Sequence, residues 1–286
     1  IEIRIGDEIL KVTDCLNRVS SNNVYSKVNS PAGNNAAFDG YIINSKDTNN
    51  LNKKKSKLFE ILGTIAAGDR PSKKKFRKFK TFEIMTGSII PKGFNTIIPI
   101  EQINLYPSNR KPKYILINNS IKKYQHIRFK GSDYKKNDLL IKKGTILQPS
   151  HILALKSLGI TYVKVKKKPN ILFFSTGNEI SNQDKTPEWK VRNSNSHYIQ
   201  SLNNNFLFKF INGGILRDKH QLKFEKEIKK IFKSKIDMII TSGAVSAGKF
   251  DFIPSIIKKF KLSNYFKSVA IRPGKPILFA KIKGKN

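Results

Sequence analysis

A segment with three features suited to chemistry lies at residues 237–252. Its apolar run, residues 238–240, predicts a buried strand of a parallel sheet. Small residues and glycines follow at 241–248, and their hydroxyl and N–H groups can face an anion at the start of the next helix. Asp251 stands just beyond them and could hold a cation. The segment suits a phosphorylated substrate with a divalent metal, although the glycines alone favour an ordinary strand-to-helix turn.

Strands and helices alternate from Tyr162 onward, which is typical of a parallel sheet with crossover helices. Apolar runs predict strands at residues 170–175 and 214–218. Residues 221–232 have the apolar spacing of an amphipathic helix. Together with the segment at 237–252, these elements predict an α/β domain in the second half of the chain.

Polar residues follow three of these strands. In open α/β sheets, ligands bind at the carboxyl ends of the strands. Residues 176–179, Asp218 and residues 241–251 all fall at such ends. One edge of the sheet is therefore expected to carry hydroxyls, glycines and three carboxylates.

Three polar residues in the first half of the chain, Asp39, Thr86 and Asp133, lie in turns that also contain glycine. A turn-forming aspartate before glycine explains Asp39 about as well as a functional role does. Between residues 59 and 130, glycine and proline separate short apolar runs, which predicts short strands and turns. The first half is therefore expected to be rich in β structure.

The charge is strongly positive: 286 residues include 55 Lys and Arg against 20 Asp and Glu, a net charge of +35. The length predicts two domains, with one as the alternative. Such a surface attracts polyanions, but lysine, asparagine and isoleucine are abundant throughout, so a uniform compositional bias is favoured over nucleic-acid binding. The basic runs at 53–57 and 73–80 are predicted to be solvated strand edges and loops.

Cysteine and histidine usage excludes several kinds of site. Cys15 is the sole cysteine, so no intrachain disulfide or cysteine-rich zinc site can form, which fits a reducing compartment. The four histidines do not have the spacing of metal ligands. No apolar run approaches the roughly 20 residues that span a bilayer, and no signal peptide is recognised. A cytoplasmic location without a membrane partner is expected.

Five short motifs occur along the chain in the order found in one protein family. They are NAAFDGY at 35–41, IMTGSIIPKG at 84–93, STGNE at 175–179, TSGAVSAG with FDF at 241–252, and RPGKP at 272–276. Each motif alone is weak evidence, but five in order are highly specific. With them the chain resembles the molybdopterin molybdenumtransferase family, the bacterial counterpart of the gephyrin E domain, over essentially its whole length.

The resemblance implies a multidomain α/β plus β fold. It has a three-layer α/β/α domain with a mostly parallel sheet, an inserted elongated β-rich domain and a small linking domain. The implied boundaries are a linking segment at 1–43, the inserted β-rich domain at 44–135, a returning linking segment at 136–168, the α/β molybdopterin-binding domain at 169–276 and the start of a truncated C-terminal domain at 277–286. The family's C-terminal β-barrel is expected to be absent. Since the chain opens at Ile1 rather than Met, a fragment or processed form is expected.

The resemblance also implies a reaction. Members of the family insert molybdate into adenylated molybdopterin, release AMP and form molybdenum cofactor, with a divalent cation, usually Mg²⁺, assisting. They work as homodimers whose cleft is fed by both subunits. Molybdopterin adenylyltransferase is the expected upstream partner. Molybdate is a tetrahedral dianion, so hydroxyls, backbone N–H groups and cationic side chains suit it.

Matching the family's motif positions assigns roles to residues of this sequence. The candidate catalytic residues are Asp39, Thr86, Asp133, Glu179, Asp218 and Asp251. The last three would lie near the nucleotide and hold the metal, whereas the first three would complete the cleft from the other subunit. The candidate binding residues for phosphate, pterin and molybdate are Ser175, Thr176, Gly177, Ser242, Gly243, Ser246, Gly248, Arg272 and Lys275.

Four positions depart from the family's usual pattern. Ala244 replaces a glycine, and Asn178 replaces an aspartate, which removes a negative charge beside Glu179. Arg272 replaces a lysine, which keeps the charge but changes its geometry, and Phe38 replaces a methionine.

Two other functions remain open from the sequence. A non-catalytic scaffold or pterin-nucleotide-binding relative is favoured by the missing barrel and disfavoured by the retained carboxylates. A nucleic-acid binder, suggested by the net charge, would bind DNA or RNA with a steep dependence on salt. It ranks below the other two.

Overall fold

A computed structural model describes residues 5–71, 76–203, 208–231, 234–243 and 252–281, except for the side chains of Asp218 and Ile231. The chain divides into two compact units. The α/β unit comprises Ile1–Asn22, Lys143–Ile152 and Thr161–Asn286. The β-rich unit comprises Asn23–Lys142 and Leu153–Ile160.

The described residues form short strands and a few helices. The strands are β1 (Asp7–Lys11), β2 (Val24–Tyr25), β3 (Asn35–Ala36), β4 (Gly40–Ile43), β5 (Lys57–Ile65), β6 (Lys80–Ile84), β7 (Thr96–Pro99), β8 (Asn104–Tyr106), β9 (Tyr114–Ile117), β10 (Ile127–Arg128), β11 (Leu139–Ile141), β12 (Tyr162–Lys166), β13 (Asn170–Thr176), β14 (Ile180–Ser181), β15 (Val191–Arg192), β16 (Lys209–Leu216), β17 (Met238–Ser242), β18 (Ser263–Phe266) and β19 (Phe279–Lys281). The α-helices are α1 (Pro149–Ser157), α2 (Ser194–Leu202), α3 (Gln221–Ile231) and α4 (Ile253–Lys259). Short 3-10 helices lie at Val12–Asp14, Ser45–Thr48, Ile100–Gln102 and Asp218–His220.

The β-rich unit is built on a six-stranded mixed sheet in the order β7-β4-β6-β5-β9-β8. Strands β5 and β6 are parallel, and the other neighbours are antiparallel. Successive side chains of a strand point to opposite faces, yet Ile42 and Ile43 are both fully buried. Ile43 packs in a cluster with Phe59, and Ile42 in another with Ile84. Both faces of the sheet are therefore covered at β4, which explains its unbroken apolar run.

The α/β unit contains a parallel sheet in the order β16-β13-β17. Its central strand β13 is buried from Ile171 to Thr176, as expected for a strand covered on both faces. Leu172 and Phe174 pack against Phe224 of α3 and Ile256 of α4. The alternate residues point to the other face. Helix α2 also contacts β13.

Two antiparallel pairs accompany each sheet. In the α/β unit, β1 pairs with β12 and β18 with β19. In the β-rich unit, β2 pairs with β11 and β3 with β10. The β3–β10 pair sets Asn35 opposite Arg128, and so fixes the segment that leads into Asp39.

The predicted combination of a parallel α/β sheet and a β-rich region is confirmed. The strand predicted at 170–175 is β13, and the helix predicted at 221–232 is α3, with Phe232 outside the described residues. Strand β16 spans Lys209–Leu216 rather than the predicted 214–218. It begins earlier because residues 209–212 already pair with β13, ahead of a register shift at Gly213 and Gly214, and Asp218 begins a 3-10 helix instead. The domain boundaries stay predictions.

No helix among the described residues is both long enough and apolar enough to cross a membrane.

Candidate functional site

The carboxyl edge of the parallel sheet brings several of the predicted residues together. The hydroxyl of Thr176 donates a hydrogen bond to the carbonyl of Ser242 at 2.9 Å, and the N–H of Gly177 donates to the carbonyl of Leu216 at 3.0 Å. Strands β13 and β17 run in parallel register here, with Ser175 opposite Ser242. The ends of all three strands are therefore joined, as expected for a ligand-binding edge of an α/β sheet.

A network of buried side-chain hydrogen bonds stabilises this edge. The hydroxyl of Ser175 donates to Oδ1 of Asn193 at 2.6 Å, and Nδ2 of Asn193 donates to Oδ1 of Asn182 at 2.9 Å. Asn193, which precedes α2, is only 7% exposed. Because an unpaired buried polar group is costly, these bonds fix the start of α2 against the edge. The sequence analysis did not identify Asn193.

Glu179 lies in an exposed turn whose backbone is held at several points. The guanidinium of Arg217 donates to the carbonyl of Asn178 at 2.7 Å, and the ammonium of Lys190 donates to the same carbonyl at 3.3 Å. The N–H of Val191 donates to the carbonyl of Glu179 at 2.9 Å. The backbone of Glu179 is thus fixed while its carboxylate faces solvent, an arrangement that suits cation binding. Arg217 and Lys190 were also missed by the sequence analysis.

Ser242 carries a buried hydroxyl that makes no hydrogen bond with any of the described residues. It is followed by Gly243, whose φ of +119° lies in the range that favours glycine. Ser246, Gly248 and Asp251 lie outside the described residues. The backbone of Asp218 begins the 3-10 helix after β16, but its side chain is not described either. Within the described part of the chain, no three His, Cys, Asp or Glu side chains lie close enough to hold a metal.

Arg272 and Lys275 lie in the exposed connection between β18 and β19. The N–H groups of Val269 and Ile277 both donate to the carbonyl of Lys275 at 3.0 Å, which shapes this connection into a compact loop. Its two cationic side chains can therefore meet an anion from solvent.

Asp39 and Thr86 of the β-rich unit are in direct contact. Both the N–H and the hydroxyl of Thr86 donate to Oδ1 of Asp39, at 2.6 and 2.7 Å. The pairing of β4 with β6 sets Gly40 opposite Ile84, which brings the two turns together. The hydroxyl bond, followed by the backbone bond, lowers the pKa of Asp39 below its ordinary value. Asp39 is exposed, so its anionic carboxylate is open to a ligand.

We expect Thr86→Val to raise the pKa of Asp39 towards its ordinary value, because the hydroxyl donor is lost. Since the folded-state pKa of Asp39 is lowered, its bonds stabilise the fold above the ordinary carboxyl pKa, and this contribution is lost as the pH falls through the lowered pKa. Carboxyl ¹³C NMR titration measures the change. Thr64→Val is the matched control, because the hydroxyl of Thr64 donates to a different carboxylate, that of Glu83, at 2.7 Å. An unchanged Asp39 titration in Thr86→Val would contradict this assignment.

Asp133 takes part in a separate group of contacts in the β-rich unit. Its carboxylate forms an ion pair with Arg128, which lowers the pKa of Asp133 and raises that of Arg128. The N–H of Asp133 donates to the carbonyl of Ser30 at 2.9 Å. These contacts stabilise the turn that contains Asp133, which is a sufficient structural reason for an aspartate at this position. A functional role for Asp133 stays a prediction.

Each half of the chain matches a known protein family. Residues 2–159 match the family described as MoeA N-terminal region (domain I and II). Residues 173–286 match the family described as probable molybdopterin binding domain.

Individual relatives agree with these matches. The molybdopterin molybdenumtransferase of Haemophilus influenzae is 31% identical over 277 residues, which cover 96% of this chain and 65% of the relative. That of Bacillus subtilis is 30% identical over 270 residues, covering 93% and 61%. The crystal structure of a molybdopterin biosynthesis MoeA protein from Pyrococcus horikosii matches with a TM-score of 0.84 and 27% identity, covering 100% of this chain and 70% of that one. The chain thus spans less than two thirds of the length of the two curated relatives.

Proposed function

Because this chain belongs to the MoeA family, we propose that it inserts molybdate into adenylated molybdopterin, releasing AMP and forming molybdenum cofactor. The observation that carries this proposal is the carboxyl edge of the parallel sheet. There Thr176 meets the end of β17, Gly177 meets the end of β16, and the Glu179 turn is held by Arg217. Hydroxyls and N–H groups at such an edge suit the two phosphates of the adenylate.

In this proposal the residues of the α/β unit bind and orient the adenylated substrate. Thr176 and Gly177 end the central strand, and Ser242 and Gly243 end its neighbour, so they would bind phosphate or pterin. Ser175, whose buried hydroxyl donates to Asn193, would support them from within the sheet. Ser246 and Gly248 would extend the same cradle. Arg272 and Lys275 would contact oxyanions, including molybdate, since both cations lie in an exposed loop.

Mg²⁺ is the metal that this reaction implies, and Glu179, Asp218 and Asp251 would hold it. Their donor chemistry fits, because carboxylate oxygens are the ligands that Mg²⁺ prefers. The exposed carboxylate of Glu179 on a fixed backbone supports its inclusion. When bound, the ion would neutralise charge on the phosphoanhydride and polarise it.

Asp39, Thr86 and Asp133 would complete the cleft of the partner subunit in a homodimer. The two hydrogen bonds from Thr86 support this role, because they fix the position of an exposed carboxylate. We further propose the domain boundaries at 43/44, 135/136, 168/169 and 276/277, a three-layer α/β/α domain, a cytoplasmic location and molybdopterin adenylyltransferase as the upstream partner.

The test of this proposal is AMP release from adenylated molybdopterin by the purified chain with molybdate and Mg²⁺. We expect molybdate-dependent release, and we expect Glu179→Gln to lower its rate at least about 100-fold, which corresponds to about 2.7 kcal/mol of activation free energy. Glu188→Gln is the matched control: it removes an equally exposed glutamate from the same unit. Its rate should equal that of the unchanged chain.

Two outcomes would contradict the proposal. Tight binding of the adenylate without release would indicate a scaffold that keeps the pocket but not the chemistry. Full activity of Glu179→Gln would remove Glu179 from the mechanism. The thermal unfolding midpoint of each variant shows that a lost rate is not a lost fold.

A further inference from the structure

A second concave site lies in the β-rich unit, a cleft of about 240 Å³ that we call the basic cleft. Nine described residues line it, and four of these are cationic: Lys46, Arg77, Lys78 and Lys80. Lysine and arginine make up 55 of 286 residues, about one in five. The share of cationic residues in this cleft is therefore about twice that of the whole chain.

Most of this charge is not neutralised by the protein. Lys80 forms an ion pair with Glu60, but Lys46, Arg77 and Lys78 form none with the described residues. The carboxylate of Asp47, which also lines the basic cleft, accepts a hydrogen bond from the N–H of Phe79 at 3.1 Å. Three cations thus converge on one concave surface whose described lining includes one acidic residue, Asp47, and this focuses a positive potential there.

The basic cleft also has an aromatic part. Phe76 and Phe94 both line it and pack on each other at a ring-centroid distance of 5.5 Å. Both also contact Phe82, at 5.1 and 5.8 Å, so their positions are fixed by a three-ring cluster. A fixed aromatic surface beside cationic side chains is the combination that binds a flat base together with its phosphate.

We propose that the basic cleft binds a nucleoside monophosphate. Its phosphate contacts Lys46, Arg77 and Lys78, and its base lies against Phe76 and Phe94. The volume of about 240 Å³ is below the roughly 300–1,000 Å³ of most ligand pockets, so part of a nucleoside monophosphate would extend into solvent. The site belongs to the β-rich unit, whereas the candidate transferase residues of β13 and β17 belong to the α/β unit, so this proposal does not depend on the proposed function.

The test is a titration of the ¹⁵N-labelled chain with AMP, adenosine or inorganic phosphate, followed through the amide signals of Asn44, Asp47 and Gly93. We expect saturable shifts with AMP, none with adenosine, and affinity for phosphate at least tenfold weaker than for AMP. These three residues line the basic cleft, so their amide shifts report binding there. Equal shifts with adenosine, or equal affinity for phosphate and AMP, would overturn the proposal.

A pair of triple variants separates a specific site from the attraction of a basic surface. Lys46→Ala with Arg77→Ala and Lys78→Ala should weaken AMP binding at least tenfold. Lys53→Ala with Lys54→Ala and Lys55→Ala removes the same charge from an exposed loop and should leave the affinity unchanged. All six side chains are exposed, so both variants should keep the fold. Equal losses in the two variants, or no saturable shift in the unchanged chain, would overturn the proposal.

Discussion

Gly177→Ala is expected to lower molybdate-dependent AMP release at least about 100-fold in a chain that remains folded. A Cβ at this position would overlap both carboxylate oxygens of Glu179. Because the end of a flexible side chain yields more easily than backbone, the Glu179 carboxylate should move away. A displacement of about 1 Å in an active site costs roughly 100-fold in rate. The added methyl group of alanine is therefore expected to act through Glu179, the proposed metal ligand.

Gly214→Ala is the matched control for this variant. Both glycines have positive φ, +134° for Gly177 and +83° for Gly214, so alanine strains the backbone at either position by about 1–3 kcal/mol. At Gly214, however, a Cβ would meet no atom within 4 Å. We expect similar losses of unfolding free energy in denaturant titrations, but a loss of activity in Gly177→Ala alone. Equal activity losses would show that backbone strain, rather than displaced Glu179, is responsible.

Gly40→Ala is expected to lower the free energy of unfolding by about 3 kcal/mol or more. Gly40 pairs with Pro99 of β7 and Ile84 of β6, in the interior of the six-stranded sheet. A Cβ there would overlap the carbonyl oxygen of Ile98 and lie 2.9 Å from its carbonyl carbon. Since these are backbone atoms of a paired strand, relief requires β7 to separate from β4. Asp39 would lose its fixed position as a consequence.

Gly33→Ala provides the comparison for the stability measurement. The nearest atom to a Cβ at Gly33 is Cγ2 of Ile89, at an ordinary contact distance of 3.6 Å. We expect its unfolding free energy to stay within about 1 kcal/mol of the unchanged chain. Denaturant titrations of both variants give the two values. A Gly40→Ala chain as stable as Gly33→Ala would show that the sheet accommodates a side chain between β4 and β7.

The elements of the α/β unit could be predicted because their signals are local. An unbroken apolar run ending in Thr176 and Gly177 is enough to place a buried strand, and β13 follows it closely. The start of β16 was misplaced because Gly213 and Gly214 resemble a turn, whereas they occupy a register shift within the strand. Two consecutive glycines look alike in sequence whether they form a turn or a register shift within a strand. Only the pairing with the neighbouring strand distinguishes the two.

The arrangement of the candidate site depended on contacts between distant residues. Asp39 and Thr86 were each identifiable in a glycine-containing turn, but their hydrogen bonds follow from the register of β4 against β6. Asn193 and Arg217 had no distinctive signal, because asparagine and basic residues are common throughout this chain. Their positions beside Ser175 and Asn178 arise only once the strands of the sheet are aligned.

The β1–β12 pair has a consequence for the order of events during synthesis. Leu10 of β1 pairs with Val163, so about 150 residues must be made before β1 finds its partner. At roughly 5–20 residues per second, that interval lasts on the order of 8–30 s. The long central segment of the β-rich unit, Asn23–Lys142, is complete before then. We therefore expect β1 to emerge from the ribosome as an unpaired strand that chaperones can recognise, and its pairing to be a late step of folding.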